Sequence, residues 1–224
     1  MLPTTLLAFA LSLHSISALS LQRRAVEFYD PAAVGGSMVD STGNGLGEPL
    51  NVIISGLSSP AALTDSGIVN YAQAIGYSKE CLGLHSGAPQ TANLGDGNGW
   101  TDQLLELRAD YHSTAVGTCL ESVVGGNHFR VWRQNGSLAD SGALFLAVSK
   151  EKSFIAHHSP IADGYDIGRD ELVQAALGTK SHGGVTYSTV ARNVSGLIAP
   201  GAEGINHGIA QDGVVTVLTV TIVG

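Results

Sequence analysis

Two consecutive segments constrain the fold of this chain more than any other feature. In Asn127-His128-Phe129-Arg130-Val131-Trp132-Arg133-Gln134 the apolar residues Phe129 and Val131 alternate with His128, Arg130 and Trp132. That is the period of two expected of a strand with two unlike faces. An Asn135-Gly136 turn signal follows, and then Ala143-Leu144-Phe145-Leu146-Ala147-Val148, apolar without interruption. A run of this kind suits a strand covered on both faces, so the chain must supply layers on either side of its sheet.

The rest of the sequence offers those layers. Leu50–Ile54 reads as a short buried strand. Ser59-Pro60 then offers a helix start, with Ile68, Ala72 and Ile75 on one helical face and Gly76 at the C-terminal stop. Residues 83–99 are punctuated by Gly, Pro and Asn and read as loop, and Trp100–Tyr111 as a short helix. Phe154–Ala156 is expected to be a strand, and Gly168-Arg169-Asp170-Glu171-Leu172 to open a helix with acids in its first turn. Strands are expected over 183–194 and 213–223. The second of these, Val-Val-Thr-Val-Leu-Thr-Val-Thr-Ile-Val, has strand composition, although its length also approaches that of a lipid-anchor signal. The expected architecture is a single α+β domain, a mixed sheet with two or three helices.

Residues 1–20 contain an apolar run from Leu6 to Leu13 and end in small residues, with Ala18 and Ser20 at the spacing signal peptidase requires. The run is too short to span a bilayer. This predicts a cleaved signal peptide and a secreted, extracellular protein. Residues 21–47 read as a flexible, glycine-rich arm, with Arg23-Arg24 either a pro-segment processing site or an incidental basic pair, and 48–224 as the domain proper. In an oxidising compartment the two cysteines, Cys81 and Cys119, are expected to form a disulfide. Asn135-Gly136-Ser137 and Asn193-Val194-Ser195 are glycosylation sequons.

Charge narrows the possible partners. Only 13% of the 224 residues are charged and the net charge is −8, which argues against nucleic acid and anionic membrane surfaces. No nucleophile elbow, phosphate loop or zinc-protease motif is present. Asp96, Asn98 and Asp102 match positions 1, 3 and 7 of a calcium loop, but Trp100 and Leu107 occupy positions 5 and 12. No metal or cofactor is called for.

What remains is a polar constellation. His128, Arg130 and Trp132 share one strand face, and His157-His158-Ser159-Pro160 leads into Asp163, Asp166, Arg169 and Asp170. His157 and His158, adjacent on an expected strand, point to opposite faces, so at most one joins a given site. Three readings stay open. The first is an ion-pair network tying strands to a helix start. The second is a pocket for an anionic or sugar-like ligand, with Trp132 as a stacking face. The third is a hydrolytic site for a phosphoester or glycan, with His158 and Asp163 as its catalytic groups and Arg130 as the anion clamp.

The segments Leu50-Asn51-Val52-Ile53-Ile54-Ser55-Gly56, Asn127–Arg133, Gly142–Glu151 and His157–Val173 together resemble the LssY C-terminal-type domain, of which secreted forms occur in filamentous fungi. The resemblance covers roughly residues 48–178. It implies an α+β domain and lands on His128, Arg130, Trp132, His158, Asp163, Asp166, Arg169 and Asp170. It implies no established reaction, so whether the protein is an enzyme stays open. An extracellular small molecule or glycan is the expected ligand, and nothing in the sequence sets an oligomeric state.

Overall fold

The computed structural model describes residues 25–83 and 88–224. The expected signal peptide and the Arg23-Arg24 pair lie outside them. Among the described residues ten strands and three helices follow in chain order: β1 (Val52–Ile54), α1 (Asp65–Ala74), β2 (Tyr77–Lys79), β3 (Thr91–Asn93), β4 (Trp100–Asp102), β5 (Leu105–Ala109), α2 (Gly117–Val124), β6 (Gly125–Asn135), β7 (Asp140–Lys152), α3 (Gly164–Ala176), β8 (Gly178–His182), β9 (Val185–Ser195) and β10 (Val214–Ile222). Eight strands form one sheet in the order β2-β5-β6-β7-β1-β10-β9-β8, while β3 and β4 form a separate ribbon. Only β1 and β10 run parallel; the other neighbours are antiparallel. Helix α1 touches both edge strands, β2 and β8, so the sheet curls around it.

The alternation in β6 sorts its residues to opposite sides of this sheet. Phe129 and Val131 join Leu144, Leu146 and Val148 of β7 and Leu218 and Val220 of β10 under α1 and α3, where Ile68, Tyr71, Ala72, Leu172 and Ala176 close the core. Trp132 points the other way, with Phe145 and Ala147 of β7, Ile53 of β1 and Val215 and Val217 of β10. Burying each such large side chain contributes about 1.5–3 kcal/mol. The central strands are thus covered on both faces, as their composition requires.

The cover on the second face comes from the glycine-rich segment expected as a loose arm together with the ribbon strand β3 and its flank. Met38, Leu50, Ala92 and Leu94 pack there, and Phe28 meets Phe145 edge to face at 6.2 Å. Gln134, fully buried in β6, donates to the Tyr29 carbonyl and accepts from the Tyr29 amide, both at 2.9 Å. Residues 25–49 are therefore stitched to the sheet.

Four local expectations need correction. Trp100–Tyr111 is not a helix: β4 and β5 lie there, because Leu105, Leu107 and Ala109 face the core while Glu106 and Arg108 face the other side. Residues 83–99 are not loop throughout, since β3 pairs with β4. Phe154–Ala156 is a 3-10 turn rather than a strand. Pro60–Leu63 is also a 3-10 turn, and α1 starts later, where Thr64 Oγ1 accepts from the Gly67 amide at 3.0 Å. The Ser59 hydroxyl, expected as the cap, instead accepts from the amide of Ile222. Helix α2 was not foreseen. Cys81 and Cys119 form the expected disulfide, joining α2 to the 3-10 turn after β2. Among the described residues no helix is long and apolar enough to cross a membrane.

Candidate ligand-binding cleft

The face of the sheet that carries Trp132 changes character toward β5. Cross-strand pairing sets Glu106 opposite Arg130 and Arg108 opposite His128, while Ser149 lies opposite His128 on the β7 side. Residues directly opposite share a face, so Glu106, Arg108, His128 and Arg130 form a charged patch continuous with the apolar one. Glu151, two residues beyond Ser149, extends it. Asp40 and Glu48 come from the N-terminal segment, Glu80 from the end of β2, Glu121 from α2 and His158 from the turn after β7. Gly126 makes room for Glu121: a Cβ there would stand 2.6 Å from the Glu121 Cγ.

Two guanidiniums organise these groups. Arg130 Nη1 donates to Glu48 Oε2 at 2.8 Å, and its Nε lies 3.2 Å from Glu106 Oε2. Arg108 reaches Glu106 at 2.6 Å, Glu121 at 3.2 Å, Glu151 at 3.4 Å and Glu80 at 3.6 Å. Glu151 Oε2 also lies 3.5 Å from Nδ1 of both His128 and His158. With Asp40, whose carboxylate accepts from the Glu48 amide at 2.6 Å, six carboxyl groups surround two arginines.

Burial and this excess of acid move the ionisations. Desolvation, reinforced by Glu48, raises Asp40 to about 8. Glu48 is raised mainly by burial, against the pull of Arg130. Glu121 rises to about 7 for the same reason, against Arg108. Burial, with Arg130 and Arg108 adding to it, pushes His128 well below its ordinary value, so it is neutral. The cluster thus retains protons at neutral pH. Oδ2 of Asp40 and Oε1 of Glu121 are buried without a hydrogen-bond partner among the described residues, and a protonated carboxyl tolerates this better than an ionised one.

Above this patch opens a cleft of about 560 Å³, with Glu48, Glu80, Arg108, Arg130 and Glu151 along its charged part. Gln90, Ser122, His157, His158, Asn206 and His207 add hydrogen-bonding groups, and Cys81 and Val123 bring in the disulfide and α2.

The residues singled out in the sequence fall into separate places. His128, Arg130 and His158 join the cluster. His157 and His158 were expected on opposite faces of a strand, yet both line the cleft. Both have left-handed backbone (φ 56° and 50°), which reverses the chain and removes the strand alternation. Trp132 shares the strand face but is buried in the apolar part, with Nε1 donating to the Thr101 carbonyl at 3.2 Å, so it offers no stacking surface. Asp163 is exposed at the start of α3 and caps nothing. Asp166, Arg169 and Asp170 form a second network: Arg169 donates to Asp170 at 2.8 Å, to Asp212 at 2.6 and 2.9 Å and to the Val214 carbonyl at 2.9 Å. It ties α3 to the start of β10. The sequon residues Asn135 and Asn193 are both exposed.

Sequence reasoning missed Asp40, Glu48, Glu80, Glu106, Arg108, Glu121 and Glu151. The alternation Leu105-Glu106-Leu107-Arg108-Ala109 was the available signal for two of them. The others are single acids on separate segments. Comparison of the chain with family models, with curated proteins and with solved structures returns no match. Among the described residues no group of His, Cys, Asp and Glu is arranged to hold a metal ion.

Proposed function

We propose that this is a secreted, glycosylated, LssY C-terminal-like binding domain whose cleft takes an uncharged, hydroxyl-rich ligand of carbohydrate type. One observation carries the choice of ligand. Both arginines that line the cleft are already ion-paired, Arg108 with Glu106 and Glu121 and Arg130 with Glu48 and Glu106, so a phosphate or carboxylate would have to enter beside acids that offset their charge. Sugar hydroxyls, which donate and accept, suit a lining that mixes Gln, Asn, Ser, His and Glu side chains. The cleft volume lies within the range of small-ligand sites. The extracellular setting rests on the signal-like N-terminus, the disulfide and two exposed sequons. A shift in mobility on endoglycosidase treatment of the secreted protein tests that part.

Titration calorimetry with neutral oligosaccharides, and with phosphorylated and carboxylated sugars of equal size, tests the ligand. The neutral set is expected to bind, with the affinity lost in Glu48→Ala. A preference for the anionic set overturns the reading.

A hydrolase of glycans is the second reading, favoured by the Glu151–His158 contact at the cleft. His158 Nδ1 makes no hydrogen bond at this distance; closing of the contact on ligand binding would let the Glu151 carboxylate orient the imidazole for acid–base work. Release of reducing ends by the wild type, abolished in His158→Ala and unaffected by chelator, would establish it. Without such release in the wild type, the domain only binds.

A further inference from the structure

We propose that the ligand is an amphiphile, a hydroxyl-rich headgroup joined to an alkyl chain, with the head in the cleft and the chain on the outer face of α2. This rests on the carbohydrate reading above. The evidence is the inverted polarity of α2. Val116, Leu120, Val123 and Val124 follow at i, i+4, i+7 and i+8, the spacing of an apolar stripe on one side of a helix. On a globular domain such a stripe normally faces the core. Here Thr118 and Glu121 face inward, because Glu121 must reach Arg108, and all four apolar residues are more than half exposed except Leu120, which is at half.

Two neighbouring turns enlarge the surface. Helix α2 contacts the turn Cys81–Gly83, to which the disulfide binds it, and the turn Phe154–Ala156. These carry Leu82 and Ile155, the most exposed large apolar side chains among the described residues, at 81% and 79%. Clustered exposure of this kind marks an interaction surface. Its position says what kind. Val123, Ser122 and Cys81 belong to the wall of the polar cleft, as do His157 and His158 just beyond Ile155. One molecule filling both regions must be polar at one end and apolar at the other. The chain's net charge of −8 favours an uncharged head over an anionic lipid.

The test compares octyl β-glucoside and octyl β-maltoside, below their micellar concentrations, with the corresponding methyl glycosides. Each methylene removed from water is worth a factor of about four, so the octyl compounds are expected to bind on the order of tenfold tighter or better. Leu120→Asp and Ile155→Asp, both at exposed positions, should remove that gain and leave methyl glycoside affinity unchanged. Equal affinity of methyl and octyl glycosides overturns this inference and leaves the carbohydrate reading standing. Failure of all four probes to bind overturns both. Octylphosphocholine binding as tightly as octyl glucoside overturns it too, since the head would then play no part. So would concentration-dependent dimerisation of the wild type abolished by Leu120→Asp, which would assign the face to a second copy of the chain.

Discussion

Nη1 of Arg130 lies 2.8 Å from Nε2 of His128. A guanidinium has no lone pair to offer, so this ring nitrogen must be the acceptor and the imidazole proton must sit on Nδ1, facing Ser149 and Glu151. The prediction is a single neutral tautomer. Long-range proton–nitrogen NMR of His128 should show Nδ1 protonated and no titration from pH 8 to pH 5. Burial is the larger cause and Arg130 the next, so Arg130→Gln should leave His128 neutral at pH 6. Protonation of His128 near pH 6.5 in the wild type would refute the arrangement.

Glu121 governs the stability profile in the other direction. Its folded-state value, about 7, lies above the ordinary 4.5. The folded state therefore holds a proton that the unfolded chain releases between about pH 4.5 and 7, and this contribution is present below 4.5 and is lost as pH rises through 7. Asp40, raised to about 8, and Glu48 act in the same sense. Neutral His128 opposes them below about pH 6.5, being one group against three. Thermal unfolding should show the midpoint falling from pH 5.5 to pH 8, and Glu121→Gln should flatten this slope and raise the midpoint at pH 8. An unchanged slope would count against burial of a proton there.

Replacing both cysteines by serine opens a loop with a sequence separation of 38 residues. Loop-closure entropy puts the loss at about 3–4 kcal/mol, equivalent to roughly 6–16 °C in the midpoint for a domain of this size. The same change should loosen the cleft wall formed by Cys81, Glu80 and α2. Ligand affinity should therefore fall even at temperatures where the variant stays folded.

Arg169→Gln separates the two charge networks. Arg169 is buried and bound to Asp212, Asp170 and the Val214 carbonyl, none of which lines the cleft. Denaturant unfolding should register a loss of about 1–3 kcal/mol, chiefly from the Val214 carbonyl losing its donor, because the freed Asp170 and Asp212 carboxylates remain hydrated. Carbohydrate affinity measured on the folded variant should match the wild type. A parallel loss of binding would make the two networks one site.

Gly168 sits where α3 crosses β7, and a Cβ there would stand 2.7 Å from the Lys150 amide nitrogen. The contact is with backbone and has nowhere to yield. Gly168→Ala should cost about 1–3 kcal/mol, detectable as a lowered denaturant midpoint.

The β6–β7 hairpin and the covered centre of the sheet were legible because periodicity and composition there agree: Phe129 and Val131 alternate with polar residues, and Ala143–Val148 carries no polar group. Helix α2 was not, since its inward residues are Thr118 and Glu121 and its apolar ones face out. The cluster was half legible for a different reason. Arg130 and His128 share a strand, so spacing pairs them. Glu48, Glu80, Glu121 and Glu151 meet only because four distant segments converge, and no local pattern records that. Density of charge in 128–170 merged two networks that the fold keeps on different partners.

The parallel pairing of β1 with β10 has a consequence for how the chain reaches this state. Val52 aligns with Thr216 and Ile54 with Leu218, at the middle of the eight-stranded sheet. The half built from β2, β5, β6 and β7 can join the half built from β8 and β9 only when β10 is available. Pairings of such sequence separation fold slowly. Until residues 214–222 arrive, β1 presents an unpaired, wholly apolar edge, Val-Ile-Ile, which is exposed to mispairing between chains. Order of synthesis and order of assembly are therefore opposed in this protein, and its yield should depend on how long the nascent chain is kept from its neighbours.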